Sequence, residues 1–143
     1  MPVIEQTLLE SNLTLQNIDL IVCDKGPGSF TGIRIGVGTV LAFKDSLNIP
    51  CVGISSLESL AYNIDSDGII CSLIDAKNNN VYFGVFEKKN NIVTQLEELN
   101  FKKIEEIIPI LNKYDKINTI EVIIYMIFIF FPLQLLFITQ KIT

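Results

Sequence analysis

The 143-residue chain has the length of one ordinary domain, and with 49% hydrophobic residues it can bury a core. Eleven basic residues stand against sixteen acidic ones, and the basic ones are scattered apart from the pairs Lys88–Lys89 and Lys102–Lys103. The net charge of −5 excludes a nucleic-acid footprint of the chain's own, so RNA would have to be reached through another subunit.

No histidine is present, which excludes His-based triads and His metal sites. Cys23, Cys51 and Cys71 lie in apolar, strand-like stretches without a C-x-x-C pair, as reduced buried thiols do. No signal peptide precedes them, and the expected compartment is the cytoplasm.

In chain order, Ile4 and Leu8 stand four apart with Leu9 beside them, which predicts a short amphipathic helix over 3–11. A polar connection leads to "LIVC", 20–23, a strand buried on both faces and closed by Asp24 and the glycines. Ser29 is placed to cap a helix running to about Leu47. Its inward arc is Phe30, Ile33, Val37, Val40, Leu41 and Leu47. Its small, mildly polar opposite side is Ile35, Gly38, Thr39, Ala42 and Ser46. Asn48 and Pro50 stop it.

"CVGIS", 51–55, is a second buried strand and 56–63 a capped helix. "IICSLID", 69–75, is a third strand, turned at "KNNN" into the two-sided strand 81–87. One more strand is expected within 92–100 and a helix over 103–111. This order predicts an α/β fold, a mixed sheet with flanking helices and an antiparallel hairpin at 69–87. Strands 20–24, 51–55 and 69–75 are expected as neighbours in one sheet, with helix 29–47 packed on it through Ile33, Val37 and Leu41.

The stretch "GPGSFTGIRIG", 26–36, fails two phosphate templates. The P-loop needs a lysine after Gly32, where Ile33 stands, and the dinucleotide loop needs glycine where Thr31 stands. A loop after a strand that opens a capped helix is still equipped for an anion, with Gly26, Gly28 and Ser29 as the candidate residues. Packing explains the same glycines: Gly32 and Gly36, one turn apart, let another backbone approach. Both readings stand.

These residues resemble the signature of the TsaB (YeaZ) family, which supports threonylcarbamoylation of adenosine in transfer RNA. The likeness extends through "NIDLIVCDKGPGSFTGIRIGVGTVLAF", "LNIPCVGISSLESLAYN" and "LIDAKNNNVYFGVFE", in the family's order, from residue 1 to about 118. It implies a Gcp-like domain, part of an actin-like ATPase or ribonuclease-H-like N-terminal lobe. It also implies a non-catalytic role beside a TsaD-like protein, which carries the metal and performs the transfer. A TsaE-like ATPase joins that pair, tRNA is met only through the complex, a second copy of the chain is a further candidate partner, and no membrane is involved.

The resemblance assigns the partner surface to the helix before the signature strand and the helix after the signature. The residues are Val3, Ile4 and Thr7 on the first, and Arg34, Ile35, Gly38, Thr39 and Ala42 on the second. Arg34 is either a partner to an opposing carboxylate or a solvated helix residue. Family members begin with a strand carrying an "ID(T)S" motif and a hairpin. This chain starts inside the helix that follows, so neither ATP nor another cofactor is expected, and no catalytic or metal-binding residue is assigned.

The alternative is an actin-fold ATP-dependent phosphotransferase or a carboxylate–metal hydrolase using Asp24 and Asp75 at strand C-ends, where open α/β sheets collect functional groups. Residues 119–143 are expected as a separate hydrophobic tail. Its segment "VIIYMIFIFFPLQLLFI", 122–138, is uncharged and at the lower limit for a membrane span. A frame-shifted end, an anchor and a buried helix or strand all fit it.

Overall fold

The computed structural model describes residues 2–114 and the backbone of 117–123 and 135–137. The chain divides into two compact units. The first holds residues up to Lys25, Ser29–Ile54 and the strand at 135–137. The second holds Gly26–Gly28 and the chain from Ser55 through the strand at 117–123.

In the first unit, α1 (Pro2–Glu10) is followed by a single 3-10 turn at Leu15–Asn17 and by β1 (Ile21–Asp24). α2 (Phe30–Leu47) then leads to β2 (Cys51–Ile54). β2 lies parallel to β1, with Ile21 opposite Cys51 and Asp24 opposite Ile54. The crossover through α2 is what a parallel pair requires. The 3-10 turn falls in the expected polar connection, and Leu13 and Leu15 still pack on the core there.

α1 contributes Ile4 and Leu8 to that core, and α2 contributes Val40 and Phe43, around Ile18, Ile21, Cys23 and Ile49. The helix therefore turns a stripe centred on Val37, Val40 and Phe43 inward. Phe43 replaces Leu41 from the expected arc, since Leu41 lies about 100° round the helix from Val40. Leu41, Leu47 and Phe30 are exposed.

In the second unit, α3 (Ser56–Tyr62) begins at the Ser55 cap, whose Oγ accepts from Leu57 N at 3.2 Å. β3 (Gly68–Asp75) and β4 (Asn80–Lys89) form the expected antiparallel hairpin, in register from Gly68–Lys88 to Asp75–Val81. β4 is long enough to pair with two strands along its other edge. β5 (Ile92–Gln95) takes Phe86–Lys89 and β6 (Asn100–Lys103) takes Asn80–Phe83. The single strand expected within 92–100 is thus two. α4 (Ile104–Leu111) follows and buries Ile107.

β7 (Ile117–Ile123) runs parallel to β3, and β8 (Leu135–Phe137) runs antiparallel to β1. These pairings correct the single-sheet expectation. A strand has two edges: those of β1 are taken by β2 and β8, and those of β3 by β4 and β7. Strand 69–75 therefore belongs to a different sheet from 20–24 and 51–55. The boundary expected after residue 118 falls inside β7. Where the hydrophobic tail is described, in β7 and β8, it is strand; the rest of it lies outside the described residues. Among the described residues no helix is long and apolar enough to cross a membrane.

Two interactions hold the second unit's corners. Lys88 is buried, and its Nζ donates to the carbonyls of Tyr62, at 3.0 Å, and Ile64, tying β4 to the last turn of α3. A cation at that end also complements the helix dipole. Asn90 and Asn91 form a two-residue connection between β4 and β5 with φ of 52° and 63°, the left-handed pair that a type I′ hairpin needs.

Gly84 and Ser72 face each other across the hairpin. A Cβ on Gly84 would stand 2.7 Å from Leu99 Cδ2 and 2.8 Å from Phe86 Cε2, and Phe86 is fully buried. Among the described residues, Ser72 Oγ is buried without a hydrogen-bond partner. Gly84→Ala is expected to lower the unfolding free energy by about 1–3 kcal/mol through overpacking. Ser72→Ala is expected to raise it by about 1 kcal/mol by removing an unsatisfied hydroxyl. Urea titration of the two variants measures both signs.

Candidate functional site

The signature loop is built on backbone hydrogen bonds. β1 ends at Asp24, and the Lys25 amide donates to the Ile54 carbonyl at 2.9 Å. Gly26 then takes φ 94°, a left-handed value that a side chain would strain, and its carbonyl accepts from the Ser56 amide at 3.1 Å. The Gly26–Pro27 peptide is cis. Gly28 has no such backbone, so of these two glycines only Gly26 needs the torsional freedom.

Ser29 caps α2 as expected, its Oγ accepting from Gly32 N at 3.4 Å, and the Ile33 amide donates to the Ser29 carbonyl at 2.9 Å. The last turn closes at Asn48, in the left-handed region with φ 56° and its amide on the Lys44 carbonyl.

The surface residues assigned by resemblance fall unevenly. Ile4 is 3% exposed and sits in the core of the first unit, so it leaves the surface set: α1 turns Ile4 and Leu8 inward together. Val3 and Ile35 are about half exposed, at 49% and 51%. Arg34 lies over the ring of Phe30, 5.2 Å from its centroid, a cation–π contact within α2's own first two turns. Thr7 Oγ1 donates to the Val3 carbonyl and Thr39 Oγ1 to the Ile35 carbonyl, each at 2.8 Å. Both hydroxyls are thereby turned back onto their own helices. Gly38 and Ala42 lie on the exposed side.

Sequence reasoning missed four exposed apolar residues of these helices. Leu9, Phe30, Leu41 and Leu47 are solvent-facing, with Leu9 at 77% and Phe30 at 73%. A helical wheel could not have found Phe30, because its expected place on the inward arc depends on which stripe the core selects.

Among the described residues, no close neighbour requires the glycines of α2. A Cβ on Gly38 would meet no atom within 4 Å. One on Gly36 would reach Cys23 Sγ at 4.0 Å, and one on Gly32 would reach Ser29 Cβ at 3.5 Å, both ordinary contacts. Their smallness is not required by packing against the described residues of the first unit.

Of the carboxylate alternative, Asp75 has a local duty. Asp75 Oδ1 accepts from the Lys77 amide at 2.8 Å and shapes its own turn. Among the described residues no three His, Cys, Asp or Glu side chains gather where a metal could sit.

The chain is a mixed α/β protein with a Ser-capped glycine loop, and its fold is similar to that of solved YeaZ structures. YeaZ from Pseudomonas aeruginosa matches with a TM-score of 0.65 and 28% identity, over 71% of this chain and 49% of its own. A family model described as "TsaD: tRNA N6-adenosine threonylcarbamoyltransferase" matches residues 1–141. The tRNA threonylcarbamoyladenosine biosynthesis protein TsaB of Bacillus subtilis is 40% identical over 97 residues, 67% of this chain and 42% of its own. The protein of that name from Buchnera aphidicola is 32% identical over 124 residues, 85% of this chain and 57% of its own. The chain belongs to the TsaB/YeaZ family. It spans about half the length of the relatives it matches.

The thiols give a test of this arrangement. Burial pushes Cys71 up to about 11. Burial, then the neighbouring Asp24 and Cys51, raises Cys23. Cys51 is only partly buried. A thiol reagent at pH 8 should modify Cys51 first and reach Cys71 only on unfolding. Because the folded value of Cys71 lies above the ordinary 9.0, its stabilising share is complete below pH 9 and is lost as pH rises toward about 11. Urea midpoints of Cys71→Ala and the parent chain should therefore converge over that interval.

Proposed function

We propose that the chain is a non-catalytic partner subunit in the making of threonylcarbamoyladenosine in tRNA, docking a TsaD-like protein through the outward faces of α1 and α2. The names borne by its relatives support the process. The observation that carries the partner role is the outward side of α2. Glycine in a helix interior costs about 1 kcal/mol against alanine. Gly38 accepts that penalty where the described residues leave open space. An incoming backbone gives the missing side chain a purpose, and exposed Ile35 and Val3 give that approach apolar area to bury.

In this reading the chain forms part of an actin-like, ribonuclease-H-like N-terminal lobe. The TsaD-like protein supplies the metal and the transfer chemistry, and a TsaE-like ATPase joins the pair. The chain itself needs no nucleotide. tRNA is reached through the assembly, in keeping with the net charge of −5. Arg34, stacked on Phe30, is held where an opposing carboxylate would meet it.

Gly38→Glu and Ala42→Arg are expected to abolish co-purification with the TsaD-like protein while leaving the circular dichroism spectrum unchanged, because each drives a charge into the centre of a close-packed contact. Gly38→Ala is expected to stabilise the free chain by about 1 kcal/mol and to weaken the complex. Normal binding by all three variants would remove the assignment. Loss of tRNA modification in a reconstituted system by Asp24→Ala, with the complex intact, would favour the carboxylate alternative instead.

A further inference from the structure

α2 is two helices of different quality joined end to end. Its first eleven residues, "FTGIRIGVGTV", contain Gly32, Gly36 and Gly38. Every other residue there except Phe30 and Arg34 is β-branched. Both classes disfavour the helix, glycine through backbone freedom and β-branched residues through restricted χ1. From Ile33 to Thr39 the stretch alternates β-branched with small or polar residues, a period that suits a strand rather than a helix. The remainder, "LAFKDSL", is free of glycine and β-branched residues.

Tertiary packing does not compensate at the weak end. Among the described residues, those of α2 that are buried are Val40 and Phe43, so the core grips the helix only from its middle onward. Ile33, Gly36 and Val37 are half-buried, while Phe30, Thr31, Arg34, Ile35 and Gly38 are exposed. The helix-start devices are thin as well. The Ser29 cap is long at 3.4 Å, and the first turn carries no acidic residue. Arg34 places a positive charge near the positive end of the dipole. The Thr39 hydroxyl bonded back to the Ile35 carbonyl loosens a helix further.

We infer that residues 30–39 form a separate low-stability unit which opens locally in the free chain while 41–47 stay helical, and which a partner closes by covering its outward face. The opening follows from propensity and burial alone; the closing rests on the partner reading given above. Regions with few buried contacts open far below the global unfolding energy, and ordering them on binding takes from affinity what it gives in control. The glycines then set how much of the binding energy goes into making the helix, so the free chain presents its partner surface only part of the time.

Hydrogen–deuterium exchange on the full chain, read by mass spectrometry, decides this. In the free protein, amides of 33–39 should exchange at least about tenfold faster than those of 41–47. Gly36→Ala with Gly38→Ala, two positions where a Cβ meets nothing closer than 4.0 Å, should slow them roughly twentyfold without altering β3 or β4. Adding the TsaD-like protein should protect 33–39 in the parent chain. Equal exchange across 33–39 and 41–47 overturns the inference, as does a double variant that exchanges like the parent. Rapid exchange that persists in an established complex overturns the closing step. If no complex forms at all, the partner reading fails and the closing step with it, while exchange in the free chain still decides whether 30–39 opens.

Discussion

The signature loop turns on Gly26. β1 must end, its chain must reverse into α2, and α3 must find a start, and all three happen within two residues. The Lys25 amide is bound to Ile54, Gly26 takes a left-handed φ, and its carbonyl receives the Ser56 amide. A side chain at 26 would strain the backbone torsion, and a displaced carbonyl would leave the first turn of α3 short of an acceptor. The Lys25 amide and the Gly26 carbonyl are both satisfied by main chain, so the geometry of the turn at Gly26 joins the elements around it.

How much of this was legible in the residues depends on whether local or long-range information decided each feature. Continuous apolar runs placed β1 and β3 to within a residue at each end, since burial on both faces leaves no other reading of "LIVC" or "IICSLID". β2 was placed as closely, but the burial expected of it is absent: Val52 and Gly53 are exposed and Cys51 and Ile54 only half-buried. The 69–87 hairpin followed from its polar turn. Sheet membership was not legible, because nothing in a strand's own residues says which neighbour occupies its second edge. β7 and β8 took those edges from a segment whose uniform apolarity fits a strand, a helix or a membrane span equally. The face of α2 was half legible. The stripe through Val37 and Val40 was right, but Phe43 replaced Leu41 because the core sits to one side of the expected arc. Ile4 was misplaced for a related reason: a family-level assignment to a helix does not say which of its residues point out.

Left-handed positions in this chain are filled chiefly by asparagine: Asn12, Asn48, Asn78, Asn79, Asn90 and Asn91, with Lys77 beside them. Asparagine tolerates that region because its side chain can bond locally. Glycine is therefore seldom needed here for torsional reasons, and five of the eight glycines crowd into residues 26–38. At 36 and 38, in an ordinary helical backbone with room for a Cβ, what glycine contributes is a shallow surface and a weak helix. A surface that is both shallow and weakly ordered suits a contact that must be made and undone.

Lys88 carries a different consequence. Its amine is shut away from solvent in the folded unit and wedged between two carbonyls at the end of α3, yet it is an ordinary reactive amine on a chain that has not folded. Acylation before folding would remove two of the donors' charge-assisted bonds and enlarge a group that has no room to grow. The last turn of α3 would then lose its tie to β4. Acylation after folding would find the amine inaccessible. The amine at this position is thus open to lysine chemistry only before the second unit folds.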